Sequence, residues 1–219
     1  LPGGWLASYL EYTQAQESPT NFHLWTGLSV LSSTVRRHIW IDRGFYTLYP
    51  NLYVILVAMS ARCRKSVSLG IGIRFLRKVK DVRIFHAKTS TEGMIDYFGT
   101  VPPHQVGTKI LIDCSALVYS SELAVFLSKA NYSSDILTVL TDLFEGQDEW
   151  TYKTKTKGEI LLTNIAPSLL AATTPESLAK CMPLDVFGLG FAGRVIFVAE
   201  KTAKLVSWPE KTEQMAELE

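Results

Sequence analysis

Apolar runs of strand length alternate with apolar positions at helical spacing along most of the chain. The clearest strand is 52–57, a continuous aliphatic run of the kind that is covered on both faces in a parallel sheet. A polar loop and an apolar helical face follow it, which predicts a strand–loop–helix unit from 52 to about 80. Because strands and helices keep alternating as far as residue 199, the pattern predicts an α/β protein with a mainly parallel central sheet and helices on both faces.

The same periodicities place the remaining elements. Predicted helices occupy 5–17, a segment from Thr20, 91–98, a segment from Glu122, 135–144 and 175–181. Predicted strands occupy 38–42, 82–85, 109–113, 116–119, 167–172 and 194–199, and 149–164 alternates as a hairpin. We therefore divide the chain into an N-terminal helical segment (1–37), a core (38–200) and a polar C-terminal tail (201–219).

Composition narrows the class of protein. The chain has 219 residues, 47% of them hydrophobic, which is enough for one sizeable buried core. Its 22 basic and 21 acidic residues exclude a uniformly basic nucleic-acid-coating protein and an acidic tail protein. Three cysteines far apart, Cys63, Cys114 and Cys181, argue against a disulfide framework or a zinc site and favour a reducing compartment. No apolar run is long enough for a membrane span, so no membrane association is expected.

The loop after 52–57 carries a lysine and a hydroxyl directly before the predicted helix. A nucleoside triphosphate needs backbone N–H groups around its phosphates, a lysine on the outer phosphates and a hydroxyl for Mg²⁺, and Lys65 and Ser66 supply the last two. Both glycines of the G-x-x-x-x-G-K-[ST] motif are missing, since Ala58 begins the loop and Arg64 precedes the lysine. A polar β–α turn is the alternative interpretation. The candidate nucleotide-binding residues are Ser60, Ala61, Arg62, Cys63, Arg64, Lys65 and Ser66.

A carboxylate follows the predicted strand 116–119. Glu122 stands where it could polarise an attacking water and approach a bound Mg²⁺. Ser121 replaces the aspartate that usually precedes such a glutamate, which predicts a weaker or water-mediated metal contact. Asp113 is the rival acid, and a glutamate favoured by a helix dipole is the alternative interpretation of Glu122.

Hydroxyls and one arginine complete the candidate catalytic residues. Thr173 and Thr174 end a buried strand, where a polar sensor would contact the γ-phosphate, and Asn164 is a second candidate for that sensor. A helix N-cap is the alternative for Thr174, because Pro175 follows it. Arg194 follows a glycine-rich turn and could reach the nucleotide of a neighbouring subunit, whereas a salt bridge at a strand edge is its alternative role.

The predicted hairpin 149–164 carries a row of lysines. Because side chains alternate along a strand, Lys153, Lys155 and Lys157 project from one face, where they would follow DNA phosphates without reading bases. Trp150 and Tyr152 fall on the other face and are expected to pack. A solubilising edge strand is the alternative interpretation of the lysines.

In this order the segments resemble the core of superfamily-3 helicases, ring ATPases of the AAA+ class in small DNA viruses and mobile elements. This resemblance lies in 140–146, 149–158, 160–164 and 168–174. Three further segments, 63–66, 121–127 and 190–198, resemble an ATPase domain of phage and plasmid primase–helicase proteins. The resemblance covers about residues 20–200 and implies an AAA+ P-loop fold with a β-hairpin before the sensor-1 strand.

The resemblance also implies roles for individual residues. Lys65 and Ser66 match the phosphate lysine and the magnesium hydroxyl, and Glu122 matches the catalytic glutamate and would also approach the Mg²⁺. Thr173, Thr174 or Asn164 matches the sensor, and Arg194 matches the arginine finger. The lysines at 153, 155 and 157 match the DNA-contacting hairpin.

The function implied is an ATP-hydrolysing DNA motor, a replicative helicase of a phage or mobile element. Its expected cofactors are ATP and Mg²⁺, and its expected partners are single-stranded DNA and further copies in a homo-oligomeric ring, a hexamer, in the cytoplasm of a bacterial host. The alternatives are an AAA+ ATPase for packaging, loading or transposition, and an oligomerisation scaffold without turnover. Nine of the 22 basic residues lie in 62–88, which suits a basic pore, although a solvated helix face is the usual role of such a run.

Overall fold

The computed structural model describes residues 3–86, 88–106, 109–127, 130–154, 158–182 and 190–206. Its helices are α1 (Gly4–Thr13), α2 (Thr20–Val35), α3 (Lys65–Leu76), α4 (Thr91–Gly99), α5 (Leu123–Phe126), α6 (Ala130–Leu143) and α7 (Pro175–Cys181). Its strands are β1 (Ile41–Asp42), β2 (Thr47–Leu48), β3 (Tyr53–Val57), β4 (Ile84–Phe85), β5 (His104–Val106), β6 (Lys109–Leu111), β7 (Leu117–Ser120), β8 (Glu149–Thr154), β9 (Gly158–Thr163), β10 (Ser168–Thr173) and β11 (Val195–Ala199). A 3₁₀ turn, Ala192–Arg194, precedes β11.

Five of these strands form a central sheet in the order β11–β3–β10–β7–β4, and every neighbouring pair is parallel. Both β3 and β10 are buried along their full length, because a strand with helices on both faces exposes neither set of its alternating side chains. The predicted α/β class with a parallel sheet is therefore confirmed. The apolar run predicted at 52–57 corresponds to β3, which lies next to the central strand β10.

Helices cover the sheet on both faces, which gives three layers. On one face, α2 and α3 pack against alternate residues of β3 through Phe22, Leu69 and Ile73. On the other face, α4 and α6 pack through side chains that include Ile95 and Leu140. The two buried clusters are separated by the sheet itself, so the expectation of helices on both faces is also confirmed.

The connections between strands change direction at one switch point in the sheet, between β3 and β10. From β3 the chain crosses to β4 at the far edge, and it then returns through β7 and β10 and past β3 to β11. Parallel crossovers that run in opposite directions lie on opposite faces of a sheet, because each is right-handed. Consequently the loops after β3 and β10 diverge to different faces, and in open α/β sheets ligands bind in the crevice at such a point.

Three antiparallel hairpins accompany the central sheet in the described part of the chain: β1–β2, β5–β6 and β8–β9. The last is the hairpin predicted at 149–164, and it lies between β7 and β10 in sequence. The strand predicted at 109–113 belongs to the β5–β6 hairpin and not to the central sheet. Because β5 and β6 pair with each other, residues 109–111 do not belong to the parallel central sheet.

Several predicted boundaries differ from those observed. Helix α1 ends at Thr13, whose hydroxyl donates to the carbonyl oxygens of Tyr9 and Leu10 and so competes with continued helical bonding. Helix α3 ends at Leu76 and not near residue 80, and the chain then turns through Asp81 with a φ of 64°. No helix of the described residues is both long and apolar enough to cross a bilayer.

Candidate functional site

The loop between β3 and α3 adopts left-handed backbone at two residues that are not glycine. Ala61 has a φ of 57°, and Arg64 has φ 47° and ψ 38°. This conformation costs an L-amino acid about 1–2 kcal/mol, because Cβ approaches the following carbonyl oxygen. The chain thus takes up glycine-like backbone without glycine, and strain of this kind is typical of functional loops.

Contacts from distant parts of the chain hold this loop in place. The Cys63 side chain is fully buried, and its thiol donates to the carbonyl oxygen of Glu200 at 3.7 Å. The Ser18 hydroxyl donates to the Arg64 carbonyl oxygen at 3.1 Å, and Nε of Arg64 donates to the Glu17 carboxylate at 2.7 Å. Sequence reasoning missed Glu17, Ser18 and Glu200, because no local motif connects them to the loop.

The N-terminus of α3 is open towards solvent and strongly positive. Arg64 occupies the N-cap position without a side-chain cap, and the first turn contains no acidic residue. The positive end of the helix dipole therefore coincides with Arg64 and Lys65, an arrangement that favours a nearby anion. The Glu17 carboxylate supplies one negative charge through its ion pair with Arg64. Ser66 is exposed in the same turn.

Lys65 folds back over the beginning of the loop. Its ammonium donates to the carbonyl oxygens of Ala58 at 2.6 Å and Met59 at 3.4 Å. Burial lowers the pKa of Lys65, and the nearby Glu122 carboxylate opposes this shift. Hydrogen bonds also connect the two residues, since the Ala58 carbonyl accepts from Lys65, the Ala58 N–H donates to Thr173 and the Thr173 hydroxyl donates to Glu122. These bonds place Glu122 near Lys65, although 57 positions separate them in the sequence. The expected phosphate lysine and the expected catalytic glutamate therefore share one site.

Thr173, the last residue of β10, joins this pair to the central sheet. Its side chain is fully buried, and its hydroxyl donates to a carboxylate oxygen of Glu122 at 3.4 Å. Its carbonyl oxygen accepts from the backbone N–H of Ala58 at 3.3 Å, which joins the ends of β3 and β10. Glu122 itself occupies the N-cap position of α5, but its side chain does not cap that helix. The carboxylate is thus available at the site.

Thr174 is the N-cap of a helix, which is the alternative role given for it above. Its hydroxyl oxygen accepts from the backbone N–H of Ser177 at 3.1 Å and caps α7, which begins with Pro175. At the other end of α7, burial and the Glu122 carboxylate raise the pKa of the Cys181 thiol.

Asn164 and Asp113 lie at the opposite end of the sheet. Asn164 precedes β10, has a φ of 51°, and donates from its amide to the Ile112 carbonyl oxygen at 2.9 Å. Asp113 precedes β7 and forms an ion pair with Arg36 at 3.2 Å in which both side chains are largely buried. Both residues connect loops at the amino ends of the strands, so the structure does not bring them to the Lys65 site.

Arg194 also lies at the amino end of the strands. It directly precedes β11, whose first residue is paired with Tyr53 at the start of β3, whereas the loop begins after Val57. Four residues of extended strand separate these levels by about 13 Å. Arg194 forms an ion pair with Glu145 at 2.6 Å, and its buried Nε has no hydrogen-bond partner within the described structure. It cannot serve the loop of its own chain from this position.

The lysine row is described only at its first member. The Lys153 side chain is 71% exposed and lies 2.9 Å from the Glu159 carboxylate across the hairpin. Lys155 and Lys157 fall outside the described residues. Trp150 and Tyr152 stack with ring centroids 6.0 Å apart and pack against the core, which confirms the packing role predicted for them.

The donors at the site suit a hard cation that is shared with phosphates. Mg²⁺ is usually held by one or two protein oxygens together with water and phosphate oxygens, and Ser66 and Glu122 offer a hydroxyl and a carboxylate. Among the described residues, no group of three or more His, Cys, Asp and Glu could hold a metal ion without such help. No protein-family model matches the chain, and no curated protein matches it.

Proposed function

We propose that this chain is a P-loop ATPase of the AAA+ type that hydrolyses ATP to move on DNA, as a replicative helicase of a phage or mobile element and as an oligomeric ring. The observation that carries the proposal is that hydrogen bonds through Ala58 connect Lys65, Thr173 and Glu122 at the switch point of the parallel sheet, beside the N-terminus of α3. These residues come from three separate strand ends, in the order that such a site requires.

In this proposal the loop 58–64 and the first turn of α3 bind the phosphates. Backbone N–H groups at a helix N-terminus and in a left-handed turn point towards an anion, and Lys65 would exchange its loop carbonyl contacts for phosphate oxygens. The Ser66 hydroxyl is the chain's ligand for Mg²⁺, which neutralises phosphate charge when it is bound.

In this proposal hydrolysis depends on the Glu122 carboxylate and on an arginine from an adjacent copy of the chain. Glu122 accepts a proton from the attacking water, and Thr173 holds the carboxylate oxygen towards the site. Arg194, which lies too far from the loop of its own chain, stabilises the transition-state charge at the site of an adjacent copy. The β8–β9 hairpin would contact the DNA backbone through Lys153 and the rest of its lysine row.

The decisive experiment replaces the phosphate lysine. Lys65→Ala should lower the ATP hydrolysis rate by at least about 100-fold, because one preorganised charge at a developing anion contributes on that order. Lys80→Ala is the matched control, since it removes an equally charged but exposed lysine beyond the end of α3. Steady-state phosphate release measures both variants. A Lys65→Ala protein that is as active as the wild type would disprove the proposal.

One observation favours the alternative of a nucleotide-independent scaffold. In place of glycine, the loop has Ala61 and Arg64 in strained conformations, and the Lys65 ammonium is satisfied by carbonyl oxygens within the loop. Calorimetric titration with a slowly hydrolysed ATP analogue separates the two classes, because a scaffold shows no saturable heat. A strand-separation assay then distinguishes a helicase from an ATPase for packaging, loading or transposition.

A further inference from the structure

The run of cations between residues 62 and 88 divides into two groups in the structure. Arg62, Arg64 and Lys65 lie at the phosphate loop, before and at the start of α3. The second group consists of four exposed side chains in the last turn of α3 and just beyond it, Arg74, Arg77, Lys78 and Lys80. Because an α-helix rises 1.5 Å per residue, roughly 15 Å separate the two groups. The second group therefore has no part in the proposed ATP site.

A cavity of about 190 Å³ opens beside this second group of cations. Its lining comes from α1 and from the C-terminal end of α3 with the turn that follows, and we call it the ring pocket: Tyr12, Arg74, Phe75 and Lys78. An apolar cavity of about 150 Å³ accepts benzene, so the ring pocket has room for one aromatic ring with a substituent.

Packing against α1 fixes the aromatic walls of the ring pocket. Phe75 meets three rings of α1 edge to face, with centroid distances of 6.1 Å to Trp5, 5.8 Å to Tyr9 and 5.4 Å to Tyr12. Tyr12 is only 4% exposed, whereas Phe75 remains half-buried. A ring that is held on one side and accessible on another can stack with a second ring at little cost in side-chain entropy.

The ring pocket also carries positive charge that the described residues do not neutralise. Neither Arg74 nor Arg77 forms an ion pair within the described part of the chain. The Lys78 ammonium lies 6.0 Å from the centre of the Phe75 ring, so a cation stands beside the aromatic wall. The dipole of α3 favours cations at its C-terminus, but it does not account for an aromatic cavity between them. The pocket therefore suits an aromatic ring that is joined to an anion.

We propose that the ring pocket binds one nucleotide of a single-stranded nucleic acid. The base stacks against Phe75, and the phosphate lies on Arg74 and Lys78. Stacking on aromatic side chains together with cations that follow the backbone is how proteins bind single strands without sequence preference. Four cations carry more charge than one phosphate requires, so Arg77 and Lys80 contact the phosphates of flanking nucleotides. This surplus of charge favours a strand over a free nucleotide.

The ring pocket is separate from the lysine row of the β8–β9 hairpin. Helix α3 packs on one face of the central sheet through Leu69 and Ile73. The β8–β9 hairpin packs with the cluster on the other face, through side chains that include Trp150 and Ile160. The pocket is thus a second contact for a strand, on the opposite side of the sheet. It does not depend on whether the Lys65 site hydrolyses ATP.

Fluorescence anisotropy with a short labelled oligothymidylate, in the absence of ATP, tests the ring pocket. Phe75→Leu keeps an apolar side chain but removes the ring, and it should weaken binding about tenfold, the order of one lost base stack. Arg74→Ala should weaken binding and reduce the slope of log affinity against log salt by about 0.7, the value for one phosphate contact on a single strand. The control is Arg43→Ala, which removes an exposed arginine from the β1–β2 hairpin and should change neither quantity.

The position of the bound strand is measured directly by photo-cross-linking. An oligothymidylate that contains iodouracil should cross-link to the peptide with Tyr12 or the peptide with Phe75, and cross-links confined to other peptides would overturn the inference. Because Arg74 is exposed, its variant remains informative if Phe75→Leu is less stable.

Competition experiments separate the possible sources of the bound group. Unlabelled oligothymidylate should displace the probe at least tenfold better than thymidine monophosphate or polyphosphate. Equal displacement by thymidine monophosphate would assign the pocket to a free nucleotide, and equal displacement by polyphosphate would leave only a basic surface, so either result would overturn the inference. Lys65→Ala should bind the oligothymidylate like the wild type, which distinguishes failure of this inference from failure of the proposed ATP site.

Discussion

Neighbouring hydroxyls at the end of β10 have different roles because of the direction in which each side chain points. Thr173 is the last residue of the strand, and its buried hydroxyl donates to Glu122. Thr174 is the next residue, points elsewhere and caps α7. Side chains alternate across an extended chain, so one of two adjacent threonines can face the site while the other begins a helix. From the sequence alone, both threonines were candidates for the polar sensor.

His23 is a second residue whose surroundings decide its chemistry. Its side chain is buried in α2, with Nδ1 3.3 Å from the Ser68 hydroxyl and its ring against Tyr9. Its Nε2 atom has no hydrogen-bond partner in the part of the chain that the structure describes. Burial lowers the pKa of His23 to about 4 from an ordinary value of 6.5, because the charged imidazolium loses its hydration.

This shift predicts the direction of a pH effect on stability. Between pH 6.5 and pH 4 the unfolded chain binds a proton at His23 and the folded chain does not, so the free energy of unfolding falls as the pH is lowered through that window. The His23 contribution should amount to about 3 kcal/mol between pH 7.5 and pH 4.

Urea unfolding across this pH range measures the effect. His23→Gln should abolish that part of the pH dependence, and His38→Gln, which replaces an exposed histidine, should retain it. Parallel stability curves for the wild type and His23→Gln would contradict the prediction.

The β3–α3 loop shows how an element can be built against local preference. Two of its residues adopt a left-handed backbone, and three cations lie at or next to the positive end of α3. Contacts from Glu17, Ser18 and Glu200 hold this arrangement, so the tertiary structure and not the local sequence stabilises it. A conflict between local sequence preference and tertiary structure is expected mainly at functional sites.

The loop strain predicts a stabilising substitution. Ala61→Gly should raise the free energy of unfolding by about 1 kcal/mol, because glycine adopts a positive φ without a Cβ clash. Ala58→Gly should lower it by about 1 kcal/mol, because Ala58 is buried and its φ is not positive. Chemical unfolding of the two variants compares these opposite signs. A destabilised Ala61→Gly protein would show that the left-handed backbone is not strained.

Elements with strong local signals were predicted well, and paired hairpin strands were not. Helix α7 occupies the predicted residues, since Thr174 and Pro175 form a complete start signal. Strands β2 and β5 were missed, because each is only two or three residues long and is defined by its partner strand. Pairing of this kind depends on contacts that a local pattern does not contain.

The two ends of the parallel sheet divide the candidate residues into two groups. Lys65, Ser66, Glu122 and Thr173 lie at the carboxyl end of the strands, and Arg194 lies at the amino end. If Arg194 contributes to hydrolysis, it must do so at the site of another copy. Hydrolysis is then a property of the assembly and not of a single chain.

This division predicts complementation between two inactive variants. Lys65→Ala lacks the proposed phosphate lysine and Arg194→Ala lacks the proposed arginine finger, and the second loss alone should lower the hydrolysis rate by about 10³-fold. A mixture of the two should regain part of the wild-type rate, since some interfaces then combine an intact loop with an intact arginine. Steady-state hydrolysis over a range of mixing ratios measures this. A mixture no more active than its components would place Arg194 outside the reaction.

The hydrophobic pattern alone was sufficient to predict the α/β class, the buried strand 52–57 and the 149–164 hairpin. It placed Lys65 and Ser66 directly before the helix, whereas they are the first two residues of α3. These features depend on residues that are close together in the sequence, and local propensity and periodicity report them directly. The tertiary structure decided the rest: that Glu122 and Thr173 meet Lys65, that Asn164 and Arg194 lie at the other end of the sheet, and that apolar side chains of the β1–β2 hairpin are exposed. Each of these depends on strand order, and strand order is set by packing between residues far apart in the chain.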